Sequence, residues 1–365
     1  MPDSIPSPSS IDFQVDRDNL ENCRFAPGAY TAALADGEVL LKIDRFALTS
    51  NNISYAAVGE ALDYWGFFPA PDRWGRIPAM GFADVAESRH PDVEVGARCF
   101  GFFPMSRHLI ISPQANGTGM IDMVDHRAKH AMIYRSYTWV GPDALYEEAY
   151  EDHILLLRGL FMTSFLAEDM ISDESHYGAE STIITSASSK TSIALAFMCK
   201  QKEGSAVVGL TSARNRSFVE SLGCYDEVFL YDEVGKIPGD RPAVMFDMAG
   251  NGEVVHDVHS HLRDHLKYSC TVGATHWDSK PRPADLPGPT PEFFFAPARI
   301  AKRTEDWGGA GLQEKLGGAW REFVKFSDGW MKIQRHQGED ALRQVYLDAL
   351  GGKLNPEEGH ILTLW

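Results

Sequence analysis

The stretch "ITSASSKTSIALAF", Ile184–Phe197, joins an apolar run to a predicted helix through a small, hydroxyl-rich turn. Short apolar runs recur on both sides of it, separated by segments with helical spacing, which is typical of parallel βαβ units. A turn between a buried strand and the amino end of a helix often binds phosphate in such sheets. The stretch therefore predicts a doubly wound α/β sheet that begins near residue 180.

The turn has the G-x-G-x-x-G spacing of the dinucleotide fingerprint, but small hydroxyl residues occupy the three glycine places. These residues keep part of the close approach that glycine allows, and they add hydrogen-bond donors. A nucleotide-hydrolysing P-loop is a second interpretation, but one of its glycines would fall at Ile184, inside the strand. A third interpretation is a plain helix cap at Ser188. We favour the dinucleotide site, and its predicted contacts in the turn are Ser186, Ser188, Ser189, Lys190 and Thr191.

The end of the next strand, "GLTSARN", indicates which dinucleotide is bound. Sites that select NAD usually carry an acidic residue here for the ribose hydroxyls, yet none lies between Glu203 and Glu220. Ser212, Arg214 and Asn215 stand there instead, and a hydroxyl and a guanidinium suit a 2′-phosphate. The sequence therefore predicts NADP(H), the alternative being that the arginine is merely solvated.

Two later strand ends add candidate residues. "FDMAGN" (246–251) ends the fourth strand and "TVGATHW" (271–277) ends the fifth, and such strand ends line the crevice where ligands bind. The histidine there either donates a hydrogen bond to substrate or packs, and loops of this kind often carry sites. The predicted contacts are Asp247, Gly250 and Gly273 for the cofactor, His276 for catalysis and Trp277 for the substrate.

Charge and cysteine usage narrow the possible partners. The formal net charge is −17 and the isoelectric point is about 5.2, so neither nucleic acid nor an anionic membrane is an expected partner. The five cysteines are scattered without a C-x-x-C pair, which favours reduced thiols and a cytoplasmic location. No signal peptide and no membrane-spanning apolar run are recognisable in the sequence.

Hydropathy patterns divide the chain into three segments. "EVLLKIDRFAL" places Val39, Leu41 and Ile43 on one face, as in a half-buried strand, and the segment that contains it reads mostly as β. Helical spacing begins near residue 153. The predicted segments are 1–152, 153–335 and 336–365, with strands at 79–88, 97–103, 108–112 and 359–365 and helices at 153–171, 316–334 and 339–350.

The layout resembles the medium-chain dehydrogenase/reductase superfamily, in its zinc-independent, quinone-oxidoreductase-like branch. A β-rich segment with "GEVLLKIDRFALTSNNISYAAVGE" is interrupted by the nucleotide-binding domain and resumes in "EEGHILTLW". "SASSKT", "GLTSARN", "SLGCYDEV" and "VGATHW" are similar, more narrowly, to a family catalogued only as a domain of unknown function. The resemblance covers nearly the whole chain. It implies a GroES-like β-barrel domain, a Rossmann domain and a homodimer.

The resemblance also implies residue roles. Zinc-dependent members have early Cys and His ligands, but the matching "LTSNNISYA" has no cysteine and the cysteine-rich zinc loop is missing, which implies no metal. Asn51, Asn52 and Tyr55 match positions near the nicotinamide. "FMTSF" matches a helix that approaches the same ring through Thr163, and "FFFAPAR" (293–299) matches a strand that passes the carboxamide. The departure from the family is the serine-rich turn, where relatives usually have glycines.

A metal site is the main competing interpretation of the histidines. "HDVHSHLRDH" has helical spacing that suits zinc, but the helix follows the fourth strand on the outer layer of the sheet. Several of these histidines are therefore expected to face solvent or to cap, and no metal is predicted. They are His256, His259, His261 and His265.

The sequence as a whole predicts an NADPH-dependent, metal-independent reductase. It would reduce a carbonyl or an activated double bond, as in an enone or quinone, of a small apolar or aromatic substrate. Tyr55, Asn52 and His276 are the expected donors to the developing charge, with Tyr55 as general acid. An NADP-binding protein with lyase or retro-aldol chemistry, or a cofactor sensor, is the alternative. The predicted substrate contacts are Asn51, Tyr64, Trp277 and Phe294. The rings of the last three could equally belong to the hydrophobic core.

Overall fold

The computed structural model describes residues 10–28, 33–202, 204–248, 250–272 and 285–365. Their contacts form two compact units. The first comprises the described residues of Met1–Leu156, Ile333–Leu354 and Glu358–Trp365, and the second those of Leu157–Lys332 and Asn355–Glu357. The sequence prediction placed the corresponding boundaries after residues 152 and 335. The short segment Asn355–Glu357 therefore belongs to the second unit, although the chain on both sides of it belongs to the first.

The first unit begins with a β-rich region. Its strands and helix are β1 (Ile11–Asp16), β2 (Cys23–Pro27), β3 (Val39–Leu48), α1 (Ser50–Ala57), β4 (Trp74–Gly75), β5 (Pro78–Ser88), β6 (Arg98–Pro104), β7 (His108–Ile111), β8 (Pro113–Asn116), β9 (Gly119–Asp122) and β10 (Ser136–Trp139). Short 3-10 helices lie at Tyr64–Gly66, Asp125–Arg127, Met132–Tyr134 and Glu148–Tyr150.

Helices and strands then alternate through the second unit before the chain returns to the first. The elements are α2 (Glu151–Asp173), β11 (Ser181–Ile184), α3 (Lys190–Lys200), β12 (Ala206–Thr211), α4 (Arg216–Ser221), β13 (Glu227–Leu230), β14 (Ala243–Asp247), α5 (Gly252–Leu262), β15 (Leu266–Thr271), β16 (Glu292–Phe293), α6 (Ala296–Ser327), β17 (Lys332–Gln337), α7 (Glu339–Leu350) and β18 (Glu358–Thr363).

Strand β3 is central to the first unit. In the described part of the chain the main sheet has the order β17-β18-β3-β5-β6-β10-β9-β8, and β7 also pairs with β3. The predicted alternation along β3 is confirmed, since Val39, Leu41 and Ile43 are buried in one hydrophobic cluster. Helix α1 begins two residues after β3 ends. The buried strand therefore fixes where α1 starts.

The second unit contains a parallel sheet. Its described strands have the order β13-β12-β11-β14-β15-β16, which is the 3-2-1-4-5-6 order of the Rossmann fold. Every residue of β11 and β14 is buried, as expected for strands covered on both faces. The chain adds strands outward in one direction from β11 and in the opposite direction from β14. These two parallel neighbours therefore form the switch point where ligands bind, and the predicted phosphate turn follows β11 there.

The prediction of a helix at 316–334 is wrong at both ends. Helix α6 starts at Ala296 with Pro297 in its first turn, a position that suits proline because its missing N–H would have no partner there. It ends at Ser327, and Lys332–Gln337 forms β17 instead. The sequence "SDGW" after the helix supplies the break, and the strand that follows is ordered by pairing with β18.

The strand implied for "FFFAPAR" is also mostly wrong. Only Glu292–Phe293 pairs with β15, and the residues from Ala296 onward form the first turn of α6. Proline cannot donate to a strand ladder, so Pro297 favours the helix start over a longer strand.

All five cysteines are free thiols. Cys99, Cys199, Cys224 and Cys270 are buried, and burial raises the pKa of each; for Cys224 and Cys270 it rises to about 12. Cys23 is half-buried, and burial raises its pKa as well. Since the thiolate is the reactive form, these thiols are expected to react slowly.

Among the helices in the described ranges, none is both long and apolar enough to cross a membrane.

Candidate active site

The turn after β11 is tight, and a tyrosine hydroxyl is hydrogen-bonded to its backbone. Ser186 has φ +48°, the left-handed conformation for which the dinucleotide fingerprint normally uses glycine. The Ser189 amide donates to the Ser186 carbonyl at 2.7 Å, and the Ala187 amide donates to Leu210 O at 2.9 Å. Beneath the turn, the Tyr225 hydroxyl donates to Ala187 O at 2.9 Å. At Ser186 the serine-rich turn thus takes a backbone conformation that glycine usually provides, while its cofactor contacts stay predictions.

Ser189 is the residue that caps α3. Its side-chain oxygen accepts a hydrogen bond from the Ser192 amide at 3.1 Å, so the plain-cap interpretation of Ser188 is wrong. Ser188 Oγ instead accepts from Asn215 Nδ2 at 2.9 Å, which joins the loops after β11 and β12. The Thr191 carbonyl accepts from Ser164 Oγ at 2.8 Å. The first turn of α3 presents its amides at the switch point, where an anion is favoured.

Both predicted phosphate-binding cations contact the segment Asn355–Glu357. Arg214 is exposed, and its Nη2 donates to Asn355 Oδ1 at 3.3 Å. Lys190 Nζ donates to Pro356 O at 3.1 Å. No sequence pattern indicated these contacts, because Asn355 lies 141 residues beyond Arg214 along the chain. They hold both cations on the side of the unit where the turn lies.

Other predicted cofactor residues are hydrogen-bonded to neighbouring residues of the protein. Asp247 is buried, and its Oδ1 accepts from Thr185 Oγ1 at 2.9 Å and from the Gly250 amide at 3.1 Å. These bonds join the ends of β11 and β14. Ser212 accepts at its carbonyl from the Asn215 amide at 3.0 Å. Their cofactor contacts stay predictions.

Two further residues use their polar groups within the protein. Thr163 Oγ1 donates to Gly159 O at 3.1 Å within α2. Phe294 has a buried side chain and donates its amide to Thr271 O at 2.9 Å, whereas its neighbours Phe293 and Phe295 are exposed. Gly273, His276 and Trp277 lie outside the described residues.

The donor set at the turn fits a pyrophosphate with an additional phosphate. Helix amides, hydroxyl groups and Lys190 are the groups that bind phosphate in proteins. Arg214 can add a bidentate contact to a further phosphate. The nearby carboxylate of Asp247 is already engaged with Thr185 and Gly250. The residues present therefore suit a dinucleotide that carries a 2′-phosphate.

In the first unit, Asn52 anchors α1. Its Oδ1 accepts from the Thr49 amide at 2.7 Å and from Thr49 Oγ1 at 3.2 Å, and its Nδ2 donates to Pro78 O at 2.8 Å. The Asn52 side chain is buried. This capping arrangement fixes where the helix begins, and a catalytic part for Asn52 stays a prediction.

Tyr55 lies one turn further along α1 and stacks on Tyr64, with ring centroids 4.6 Å apart. The edge of Phe102 completes this contact at 5.8 Å. Burial raises the pKa of Tyr55 to about 12, and nearby Tyr134 contributes to the rise. Tyr55 is therefore a protonated phenol at neutral pH. The structure brings the predicted residues Asn51, Tyr55 and Tyr64 together.

Trp65 holds Tyr64 in place. It lies in the 3-10 helix Tyr64–Gly66 and is buried. A Cβ on Gly59 would lie 2.2 Å from the indole, and one on Gly75 would lie 2.4 Å from it. The ring is thus packed against two glycine backbones, which only glycine permits at such distances.

Gly59→Ala is expected to destabilise the first unit by about 2 kcal/mol, because the added methyl overlaps the indole of Trp65 and forces it to shift. Urea unfolding followed by tryptophan fluorescence measures the change. Gly117→Ala is the matched control, since a Cβ there meets nothing within 4 Å. Equal unfolding midpoints for the two variants would contradict the packing argument.

Tyr134 is a member of this cluster that the sequence did not predict. Its ring lies 5.3 Å from Phe67 and 5.6 Å from Phe102. Tyr134 follows no strand end and belongs to no periodic pattern, so no sequence signal could have indicated it.

The histidine-rich helix α5 is a structural element. His259 is fully buried, with Nδ1 2.8 Å from Pro287 O and Nε2 2.9 Å from Ser269 Oγ. His261 Nε2 lies 2.7 Å from Ile237 O. His256 and His265 are exposed, as expected for several of these histidines, whereas His259 is buried. In the part of the chain that the structure describes, no group of three or more His, Cys, Asp or Glu side chains could hold a metal ion.

Together, a β-rich unit of GroES-like type and a Rossmann sheet define the fold of the medium-chain dehydrogenase/reductase superfamily. The chain belongs to the family described as "Protein of unknown function (DUF2855)", whose model matches residues 46–355. No curated protein sequence matches the chain.

Solved structures share this fold at low sequence identity. CurA in complex with NADPH from Vibrio vulnificus has a TM-score of 0.63 at 12% identity, over 98% of this chain and 99% of that one. The mitochondrial 2-enoyl thioester reductase Etr1p/Etr2p heterodimer from Candida tropicalis has a TM-score of 0.59 at 12% identity, over 98% and 100%. A putative NADPH:quinone reductase from Bacillus thuringiensis has 0.55 at 12% identity, again over 98% and 100%.

Proposed function

We propose that this protein is an NADPH-dependent reductase of a carbonyl or an activated double bond. The observation that carries the proposal is the left-handed, serine-rich turn at the switch point of the Rossmann sheet, with Lys190 and Arg214 both held beside it by Asn355–Glu357. The printed descriptions of the similar structures, which name NADPH, an enoyl thioester reductase and a quinone reductase, support the same class of reaction.

The preference for NADPH over NADH rests on the loop after β12. Ser212 and Arg214 lie where an acidic residue would bind the ribose hydroxyls of NAD, and Asn215 ties this loop to Ser188 of the turn. A guanidinium makes strong, charge-assisted bonds to phosphate. The 2′-phosphate is therefore the group that Arg214 recognises.

The reaction needs a hydride and a proton. NADPH supplies the hydride when it is bound. The chain supplies the proton from Tyr55, which stays protonated at neutral pH because burial raises its pKa to about 12. Addition of hydride to the β-carbon of an enone would turn the C=C pair into the double bond of an enolate and place the carbonyl pair on its oxygen; transfer of the Tyr55 proton to the α-carbon would then restore the carbonyl and leave Tyr55 as the phenolate.

The substrate class follows from the surroundings of Tyr55. The Tyr55 ring contacts Tyr64 and Phe102, and these two rings pack in turn against Phe67 and Tyr134. Such a surface binds apolar or aromatic groups and excludes water, which strengthens the interaction between a donor hydroxyl and a developing negative charge. A small enone-like or quinone-like compound fits these requirements.

The branch of the superfamily follows from α1. The stretch where zinc-dependent relatives place ligands carries Asn51, Asn52 and Tyr55, which are amides and a phenol rather than thiolates or imidazoles. Of these side chains, the Tyr55 hydroxyl is the proposed donor to the substrate, because Asn52 is buried and engaged with Thr49 and Pro78. The protein therefore belongs in the zinc-independent, quinone-oxidoreductase-like branch.

The remaining expectations concern partners and location. The strong negative charge disfavours nucleic acid and anionic membranes as partners. A homodimer and a cytoplasmic location complete the proposal, and the five free thiols support the second of these.

The purified protein should bind NADPH at least tenfold more tightly than NADH and oxidise it with one or more members of a panel of enones, quinones and aldehydes. Cofactor binding is measured by nicotinamide fluorescence, and turnover by loss of its absorbance. Tight NADPH binding without any turnover would select the alternative, a non-redox enzyme or a cofactor sensor. Failure to bind either nicotinamide would overturn the whole proposal.

A further inference from the structure

Two short segments of the first unit meet at Phe67. The rings of Tyr64 and Tyr134 each lie 5.3 Å from the Phe67 ring. His130, in the second segment, packs edge-on against the same ring at 4.2 Å. The segments 62–64 and 130–134 are therefore neighbours in space, although 67 residues of chain separate Asp63 from His130.

Polar contacts hold the two segments together. Asp63 Oδ2 lies 2.9 Å from His130 Nε2, and the same carboxylate pairs with Lys129. Asp63 has φ +56°, and a Cβ on Gly66 would lie 2.5 Å from its Oδ1, so the carboxylate needs the glycine beside it. The arrangement of the segments is thus fixed by contacts other than those of their apolar side chains.

Each segment exposes aliphatic side chains next to its tyrosine. Leu62 is 63% exposed, Met132 59% and Ile133 60%. We call these three residues the aliphatic rim. Apolar side chains that are exposed singly need no explanation, but a group of them beside a candidate site marks a binding surface. The pair formed by Lys129 and Asp63 has no net charge, so a neutral, apolar group suits this surface best.

Aromatic rings connect the aliphatic rim to the proposed proton donor. Tyr64 and Tyr134 are partly buried against a buried cluster that contains Phe102. Tyr64 stacks on Tyr55 at 4.6 Å. Tyr134 lies 5.6 Å from Phe102, which lies 5.8 Å from Tyr55. Both segments therefore lead from exposed aliphatic side chains, through a tyrosine, to the neighbourhood of the Tyr55 phenol.

The size and chemistry of the aliphatic rim indicate what it binds. Each partner in a stable protein interface contributes roughly 800 Å², far more than three side chains expose. A hydrocarbon chain needs much less area. Met132 has an unbranched, flexible side chain that adapts to the shape of an apolar ligand. An alkyl chain that is continuous with the reacting group therefore fits the rim better than a second protein does.

We propose that the aliphatic rim binds an alkyl chain of the substrate. The substrate class is then an enone or quinone that carries an unbranched hydrocarbon chain, with the reducible group near Tyr55 and the chain along Leu62, Met132 and Ile133. The inference rests on the proposed function for the reducible group. Binding of the alkyl chain itself requires neither cofactor nor reaction, and it can be measured separately.

A series of saturated methyl ketones, from 2-butanone to 2-nonanone, tests the binding step without nicotinamide. Each methylene that is partly withdrawn from water on an open apolar surface should tighten binding about twofold, so the dissociation constant should fall about 30-fold across the series. Titrations followed by ligand-observed NMR measure it. A parent protein whose affinity does not rise with chain length would overturn the inference.

Substitutions on the rim separate this surface from other apolar sites. In Met132→Ser/Ile133→Ser the gain across the ketone series should fall to less than about fivefold, because the chain loses its apolar contacts. Leu62→Ser, on the other segment, is a second and milder test, with a gain about half that of the parent. Val95→Ser is the matched control: Val95 is 64% exposed between β5 and β6 of the same unit, and its replacement should keep the full gain.

Activity provides a further readout. With NADPH, kcat/KM for alkyl vinyl ketones should rise with chain length in the parent protein and in Val95→Ser, and it should rise much less in Met132→Ser/Ile133→Ser. These substitutions change exposed side chains, so the melting temperatures of all variants should stay close to that of the parent.

Two other results would overturn the inference. The first is an equal gain across the ketone series in the rim variants and in the control. The second is a change in oligomeric state in Met132→Ser/Ile133→Ser, measured by light scattering, which would show that the rim is a contact between copies of the chain. Chain-length-dependent ketone binding by a protein that binds no NADPH would refute the proposed function and leave the alkyl-chain site standing, so the two failures are distinguishable.

Discussion

Arg214→Glu is expected to weaken NADPH binding by about 100-fold and to change NADH binding by less than about threefold. A charge-assisted bond to phosphate contributes about 1.5–3 kcal/mol, and every 1.4 kcal/mol is a factor of ten in affinity. The substitution also places a carboxylate beside the 2′-phosphate. Because NADH lacks this phosphate, the loss should be confined to NADPH, which titrations with both nucleotides measure.

A neighbouring arginine provides the control for this prediction. Arg216 lies two residues further along and is paired with Glu220 at 2.8 Å and Glu233 at 3.1 Å. Arg216→Gln should therefore leave the preference for NADPH unchanged. An equal loss of affinity for the two nucleotides in Arg214→Glu would show that Arg214 does not recognise the 2′-phosphate. The salt dependence of NADPH binding should fall in the same variant.

Tyr55→Phe is expected to lower kcat by about 100-fold, in the range that loss of a general acid produces. KM should change little, since the phenyl ring keeps its stack on Tyr64. Single-turnover measurements with bound NADPH isolate the chemical step from product release. A kcat within threefold of the parent, in a variant that folds normally, would exclude Tyr55 as the proton donor.

The pH profile provides an independent check on Tyr55. A tyrosine with an ordinary pKa of about 10 loses its proton near that pH, whereas burial raises the pKa of Tyr55 to about 12. The acid form is therefore present below both values and is lost only as pH rises through the higher one. The single-turnover rate should consequently be flat from about pH 7 to about pH 10.

Most of the fold could be predicted from the sequence, because burial of one face of a strand or helix makes its apolar residues recur at a regular spacing. The apolar runs of β11 and β14 and the helix predicted at 339–350 appear where expected, the last as Glu339–Leu350. The error at α6 arose because its amino end follows a proline-rich stretch that masks a helix start. Local pattern alone could not decide between a loop and a helix whose first turn contains Pro297.

The candidate site was predictable only where it follows strand ends. Ser186, Ser188 and Arg214 stand directly after β11 and β12, so the topology of a parallel sheet placed them together. Asn355 and Tyr134 come from distant parts of the chain, and only tertiary packing brings them to Arg214 and Phe67. Contacts of this kind leave no periodic trace in a single sequence.

The chemistry of the cysteines makes the chain convenient for site-directed labelling. Cys99, Cys199, Cys224 and Cys270 are shielded from solvent and protonated, so a maleimide dye or nitroxide should modify them slowly. Cys23, which is only half-buried, is the one native thiol in need of replacement. In a Cys23→Ser background, a single cysteine introduced on the surface would report distances by fluorescence or electron spin resonance while the buried sulfhydryls stay in their native packing.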